Sequence, residues 1–251
     1  MADQLVRSVP KAKPAQVHFQ SFYQLPAPVA RYLRNVLQEG QPLIRVARFT
    51  QMGQLRTDPA SSKWFSFIAR QISVPRAPGF VWDAQVGSAP LALLRVRDSY
   101  LGGVGSGRVT LLSLIPAGAD SGGAELSSGA LHRFLAEAVW YPTALLPSAS
   151  LVWSPIDNTR ALATLTDAAT TVSLEFRFNE SDEVAAIYSP GRWGKFKHGY
   201  RQVPWEGHFR GYRRENGMLV PSEGDVGWYS GGTWQSVWSG RIFKITFEFD
   251  M

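Results

Sequence analysis

Residues 172–189, VSLEFRFNESDEVAAIYS, decide the class of fold. Val172, Leu174, Phe176 and Phe178 alternate with Ser173, Glu175 and Arg177, the period of two that gives a strand one apolar and one polar face. Residues 179–183 interrupt the alternation with a hairpin loop, and apolar residues resume at Val184. Two-faced strands joined by short loops belong to antiparallel sheets, because parallel strands buried on both faces read as continuous apolar runs.

The same signature recurs in both directions. Upstream, segments 43–50, 64–74, 80–86, 91–100 and 107–115 are rich in Val, Ile, Leu, Phe and Trp, separated by Gly, Pro, Asp and Ser. Trp82, Ala84 and Val86 alternate with Val81, Asp83 and Gln85, and Leu94 and Val96 alternate with Arg95 and Arg97. Downstream, 204–214, 226–230 and 234–239 read as further strands, and Phe243, Ile245, Phe247 and Phe249 close the chain in strict alternation. Together these make about eleven strands.

Two helices interrupt them. Pro26 and Pro28 open the first, Val29, Tyr32, Leu33, Val36 and Leu37 recur at helical spacing, and Gly40 follows its last turn. Ser127 or Ser128 caps the second, Leu131, Phe134, Leu135, Ala138 and Val139 form its apolar stripe, and Pro142 ends it. Residues 1–24 are polar and aperiodic, which predicts a loosely held N-terminal arm before a single β-rich domain over 25–251. The helices lack the alternating partner strands of βαβ units. A mainly β (α+β) architecture follows, a long antiparallel curved sheet or open half-barrel wrapping one or two amphipathic helices around a lined cavity.

Composition removes several chemistries. The 251 residues contain no Cys, so disulfides, thiolate nucleophiles and cysteine-held metals are excluded. No apolar stretch is long enough for a signal peptide or a membrane span, and the expected location is cytoplasmic. Nucleotide-binding glycine loops and the GxSxG elbow are missing. The GGVGSG run at 102–107 has no helix behind it and reads as a β-turn. The histidines, His18, His132, His198 and His208, form no helical metal pair, and only His198 and His208, with Glu206, could approach across a hairpin. Neither a metal nor a cofactor is expected.

Three groups of residues could carry function. On the second helix, His132, Arg133, Glu137 and Trp140 interrupt an apolar face; His132 and Glu137 could act as base and acid, or Arg133 and Glu137 could be a solvated i,i+4 pair. Between Arg192 and Glu215 lie seven Lys or Arg and two Glu, so this segment carries +5 of the chain's net +6. Its interleaved aromatics suit a planar or anionic ligand, or else a twisted hairpin with its cations in water. Asp83, Asp98 and Asp157 each neighbour an aromatic at a strand end and could share a proton if they met.

Seven blocks taken in order resemble a family of bacterial proteins classed only as a domain of unknown function: WDAQV (82–86), RDSYLGGVGSG (97–107), LHRFLAEAVWYPTALLP (131–147), VWSPID (152–157), GRW (191–193), PWEGHFRGYRRENGMLVP (204–221) and VGWY (226–229). The resemblance covers roughly residues 25 to 249. It implies no activity. The layout is also similar to the half-barrel of lipoprotein carriers, in which a curved sheet wraps helices around a greasy cavity; the missing export signal departs from those carriers.

The leading expectation is a non-enzymatic protein that binds an apolar or amphipathic small molecule. Trp82, Trp140, Trp153, Trp193 and Trp205 would line or rim the cavity, and Arg133, Arg192 and His208 would meet a polar or negative end, with Asp98 and Asp157 nearby. The second is a cofactor-independent enzyme in the same cavity, using His132 and Glu137 as the acid–base pair with Asp98 and Asp157 behind them. The third is an anionic surface or nucleic acid held by the 192–215 patch, whose affinity would fall steeply with salt.

Overall fold

The structure, a computed structural model, describes residues 1–9, 15–56, 58–59, 61–87, 94–111 and 115–249. Its first half holds helices α1 (Ala2–Ser8) and α2 (Ala27–Val36) and strands β1 (Ile44–Leu55), β2 (Phe65–Val74), β3 (Gly79–Val86), β4 (Leu94–Leu101), β5 (Val104–Leu111) and β6 (Ile115–Ser121). Helix α3 (Ala124–Glu137) and two short 3-10 turns follow. The second half is β7 (Leu151–Pro155), β8 (Arg160–Asp167), β9 (Thr170–Phe178), β10 (Val184–Phe196), β11 (Gly199–Glu215), β12 (Met218–Ser230) and β13 (Thr233–Phe249).

All thirteen strands form one antiparallel sheet in the order β6-β5-β4-β3-β2-β1-β13-β12-β11-β10-β9-β8-β7. Each half is a meander, and the two join where the last strand, β13, pairs with the first, β1. The sheet is curled, and α3 shows why. This helix packs against β4 and β5 on one side and against β9 and β10 on the other, strands that a flat sheet would hold roughly 30 Å or more apart at about 4.8 Å per strand. A helix about 10 Å across touches both only if the sheet wraps around it. The result is the expected half-barrel.

Two close approaches fix the helix in this trough. A side chain at Gly105 of β5 would stand 2.7 Å from the carbonyl oxygen of Leu126. One at Gly129 of α3 would stand 2.8 Å from the carbonyl oxygen of Trp193 on β10. Glycine at both positions lets main chain lie against main chain. Helix α2 buries Val29, Tyr32, Leu33 and Val36 completely, at about 1.5–3 kcal/mol for each large apolar side chain. It packs against β8 and β12, and Tyr32 meets Phe178 at 5.6 Å. On the convex side α1 covers β2 and β3, with Leu5 and Val9 buried against Val46, Val74 and Val81. Val17 and Phe22 join the main core.

Several sequence expectations need correction. The strands number thirteen among the described residues rather than eleven. Segments 234–239 and 243–249 are one strand, β13, while β6, β7 and β8 had not been anticipated. The expected strand 107–115 is the end of β5 and the first residue of β6, and 112–114, like 91–93, lie outside the described residues. The terminal alternation is broken by a register shift opposite Thr50 and Gln51, so Ile242 and Ile245 point inward and Phe243 is 64% exposed. Ser127 and Ser128 are not caps: α3 starts after Gly123, and the Ser127 hydroxyl instead accepts the Gly105 N–H at 3.0 Å. Gly102 and Gly103 form the two-residue turn between β4 and β5, both with positive φ.

Candidate functional site

The concave side of the sheet is not filled. A cavity of about 320 Å³ lies between α3, the β3–β5 strands and β10–β13. Its apolar wall is dominated by five indoles, Trp82, Trp140, Trp205, Trp228 and Trp238, with Phe209, Val96 and Val226 between them. Alternation delivers them: Trp82 shares the inner face of β3 with Ala84 and Val86, and Trp205 shares that of β11 with Phe209. Trp140 stands edge-on to Phe209, 6.0 Å between centroids at 90°. Its indole N–H is buried without an acceptor among the described residues, which gives this wall a weak polar character.

One end of the cavity is ionic. Arg133 donates from Nε to Glu137 at 2.7 Å and from Nη1 to Asp98 at 3.0 Å. Its guanidinium lies 4.8 Å from the Phe80 ring and 5.0 Å from Trp82. The second carboxylate oxygen of Glu137 accepts from Gln71 at 2.5 Å. Gln71 Oε1 is 3.4 Å from Gln51 Nε2, and Gln51 in turn accepts the Trp82 indole N–H at 2.7 Å. Trp82, Gln51, Gln71, Glu137, Arg133 and Asp98 thus form one polar chain across the floor of the trough, buried at Trp82, Gln51 and Gln71 and half-exposed at Asp98.

Arg192 stands beside it under different conditions. Its guanidinium packs over Trp205 and Trp228, 4.6 and 5.0 Å from their centroids. Nη2 donates to the Gly129 carbonyl at 2.9 Å, Nε is buried with no acceptor, and Nη1 has no partner among the described residues. Burial, with Arg133 adding repulsion, brings its pKa down to about 10. Asp98 keeps 41% of its side-chain surface open, yet the protein around it disfavours its charge and raises its pKa, against the pull of Arg133 and Arg192.

Arg192, Arg133, Asp98 and Trp228 also line a smaller cleft of about 180 Å³ between α3, β4 and the β10–β11 hairpin. The ionic groups therefore separate two spaces. A larger concavity, about 510 Å³, lies on the convex face by Ile68, Arg70, Ile72 and Asp83. Its carboxylate among the described residues, Asp83, is already held by Arg95 and Arg97 at 2.6 Å each, whereas the interior cavity offers an aromatic wall with incompletely partnered donors. The interior cavity is the stronger candidate site.

Six of the sequence-derived ligand residues meet here: Trp82, Asp98, Arg133, Trp140, Arg192 and Trp205. Trp193 lines only the smaller cleft. Trp153 packs on Phe176 and donates to the Leu145 carbonyl at 2.9 Å, away from both. Asp157 is in the turn before β8, bonded to Arg160, and His208 pairs with Glu206 at 2.8 Å. Asp83, Asp98 and Asp157 do not meet. His198 sits in the turn after β10 while His208 pairs with Ala186 far along the hairpin, so the two do not approach.

The acid–base pair is not assembled either. His132 does not line the cavity; its Nδ1–H donates to the Ser128 carbonyl at 3.0 Å, and Nε2 is 3.5 Å from the Ser189 hydroxyl. Burial, then Arg192, lowers its pKa to about 4. Glu137 reaches the cavity with both oxygens engaged. No group of three metal-ligating side chains occurs among the described residues, and no helix among them is long and apolar enough to cross a membrane.

Gln51, Gln71, Trp228 and Trp238 were not singled out from the sequence. The tryptophans carried a usable signal, an inward parity shared with Val226 and Gly240. The glutamines carried none, since a strand glutamine is ordinarily exposed.

The model described as "Family of unknown function (DUF6544)" matches residues 15–240. No curated protein matches. Among solved structures, the chain is similar to the LolA superfamily protein NE2245 from Nitrosomonas europaea, at 9% identity and a TM-score of 0.47 over 92% of this chain and 94% of that one. It is also similar to a DUF1329 family protein from Desulfovibrio piger, at 9% identity and a TM-score of 0.47 over 90% and 93% of the two chains.

Proposed function

We propose that this chain, which belongs to the DUF6544 family of unknown function, holds one apolar or amphipathic small molecule in the cavity between the curled sheet and α3. The observation that carries the reading is the wall itself: five indoles and a phenyl ring face a space that the protein's own side chains leave open. A volume of about 320 Å³ falls at the lower end of the roughly 300–1,000 Å³ of small-molecule sites. Apolar surface facing such a space is relieved of water when a ligand enters, at about 25 cal/mol per Å² removed.

Nothing in this site requires a reaction. Both oxygens of Glu137 are committed to Arg133 and Gln71, and His132 lies behind the wall, so a general acid and base do not converge. The polar chain from Trp82 to Asp98 acts instead to hold the floor rigid and to orient the polar end of a guest.

Native mass spectrometry of the protein purified from its own host tests the proposal. A complex one small molecule heavier than the chain, losing that mass on denaturation, is the expected result. A bare chain mass after gentle preparation, together with no uptake of added amphiphiles, would overturn it.

A further inference from the structure

Three arginines line the cavity: Arg56 donates to the Ser236 and Ser61 carbonyls and to Gln235, while Arg133 and Arg192 are built alike and completed differently. Arg133 lies over Phe80 and Trp82, and Arg192 over Trp205 and Trp228, at ring distances of 4.6 to 5.0 Å in all four cases. Arg133 has two carboxylates in hydrogen-bond contact, at 2.7 and 3.0 Å. Arg192 has none; its one described hydrogen bond goes to a neutral carbonyl.

Burying a guanidinium costs several kcal/mol unless hydrogen-bonding anions return the loss. The protein supplies those anions at Arg133 and omits them at Arg192, although both line the same cavity. Trp205 and Trp228, paired neighbours on β11 and β12 whose centroids are 6.4 Å apart, both pack on the Arg192 guanidinium and fix its position. The depressed pKa of Arg192 reports the same deficit.

We infer that Arg192 is the anion-binding residue of the cavity and that the ligand is a single-chain amphiphile with a carboxylate head, its chain lying along Trp140, Phe209 and Trp238. The carboxylate occupies at Arg192 the place that Glu137 and Asp98 occupy at Arg133. A planar monoanion fits better than a phosphate dianion for two reasons. The guanidinium edge matches a carboxylate in two parallel hydrogen bonds, and Asp98 already adds a negative charge close enough to influence Arg192. His208 and Arg133, the other cations expected at a ligand's polar end, are both engaged by carboxylates.

The inference rests on the cavity reading, and its test separates the two. Dodecanoate, methyl dodecanoate, dodecan-1-ol and dodecyl phosphate are each titrated, below their micelle thresholds, against a neutral fluorescent probe bound to the full chain. Dodecanoate is expected to bind about ten- to a hundredfold tighter than the ester or the alcohol, the range of a hydrogen bond to a charged group. Arg192→Gln removes that preference, bringing the acid-to-ester ratio close to one; Arg192→Lys, which keeps the cation without the fork, keeps part of the preference.

Ester and alcohol binding as tightly as the acid would overturn the anion site while the cavity reading stands. An acid preference that survives in Arg192→Gln would assign the anion elsewhere. Tighter binding of dodecyl phosphate than of dodecanoate would overturn the monoanion. If none of the four binds, this inference fails along with the cavity reading. The acid-to-ester ratio of the unsubstituted protein and the Arg192→Lys variant decide the matter even if Arg192→Gln does not fold.

Discussion

Arg192 Nη2 donates to the main-chain carbonyl of Gly129 at 2.9 Å, fastening a strand of the second half of the sheet to the helix that both halves enclose. The same glycine lets that contact form. A Cβ at residue 129 would lie 2.8 Å from the Trp193 carbonyl oxygen, and a main-chain atom of a paired strand has little room to retreat.

Gly129→Val is therefore expected to lower stability by about 1–3 kcal/mol, the usual cost of forcing extra volume into a packed contact. Gly129→Ala should cost less, because alanine's helix propensity returns up to about 1 kcal/mol. Urea unfolding of both variants measures the difference. Equal stability of Gly129→Val and the parent would show that α3 does not rest on β10 as described.

The Arg133 triad should be asymmetric. Glu137 has 12% of its side-chain surface exposed and Asp98 41%, so Glu137 depends more on its partner and contributes more. Glu137→Ala is expected to cost about 3 kcal/mol, at the lower edge of the range for breaking a buried pair, and Asp98→Ala distinctly less. Denaturant midpoints in the reverse order would contradict the assignment of Glu137 as the principal counter-ion.

His132 gives a pH signature. Its folded-state pKa, about 4, lies below the unfolded value of about 6.5. The unfolded chain therefore takes up this proton first as pH falls. Stability from this group is complete above about pH 6.5 and is lost between there and pH 4, by roughly 3 kcal/mol at most. Asp98 acts in the opposite sense, because its raised pKa makes the folded state the better proton acceptor on acidification. Subtracting the stability curve of His132→Gln from that of the parent isolates the histidine. A difference that is flat from pH 7 to pH 4 would mean that His132 is solvated.

Much of this fold was legible from residues 172–189 and 80–86, because β9 has one face in the core and one toward water, and β3 keeps the same alternation over Trp82–Val86 even though α1 covers Val81. The apolar stripes of α2 and α3 were legible for the same reason at a longer period. Phe243 was misread because a bulge shifts parity without leaving any mark in composition. The end of α3 was readable only to within about a turn, since the helix stops at Glu137 and Pro142 opens a 3-10 turn beyond it; its start was not readable, since Gly123 supplies no side-chain cap.

Of the site, the helix-borne half was legible: Arg133, Glu137 and Trp140 are polar or amphipathic residues on an otherwise apolar segment. Arg192 and Trp205 stood out in the basic segment only as members of a crowd. Their distinction from Arg210, which pairs with Glu223 and Asp225 on the outer face, depends on strand parity around a register shift between Ser189 and Arg192. Gln51 and Gln71 became visible only when the sheet brought them under Arg133.

Filling the cavity from the helix should separate binding from folding. Ala136 is 3% exposed and lines the cavity, so Ala136→Phe places a ring in the space assigned to the ligand. Amphiphile affinity is expected to fall at least about tenfold with unfolding stability kept within roughly 1 kcal/mol, because the added volume meets an opening rather than packed atoms. Unchanged affinity in a folded variant would move the ligand out of this cavity.

The most direct test of the cavity as a binding site is a crystal structure of the protein taken from its own host with no ligand added. Continuous density is expected between Trp140, Phe209 and Trp238, ending within hydrogen-bond distance of the Arg192 guanidinium. A cavity holding only separate water molecules, or density for a copurified molecule located anywhere else on the protein, would contradict the account.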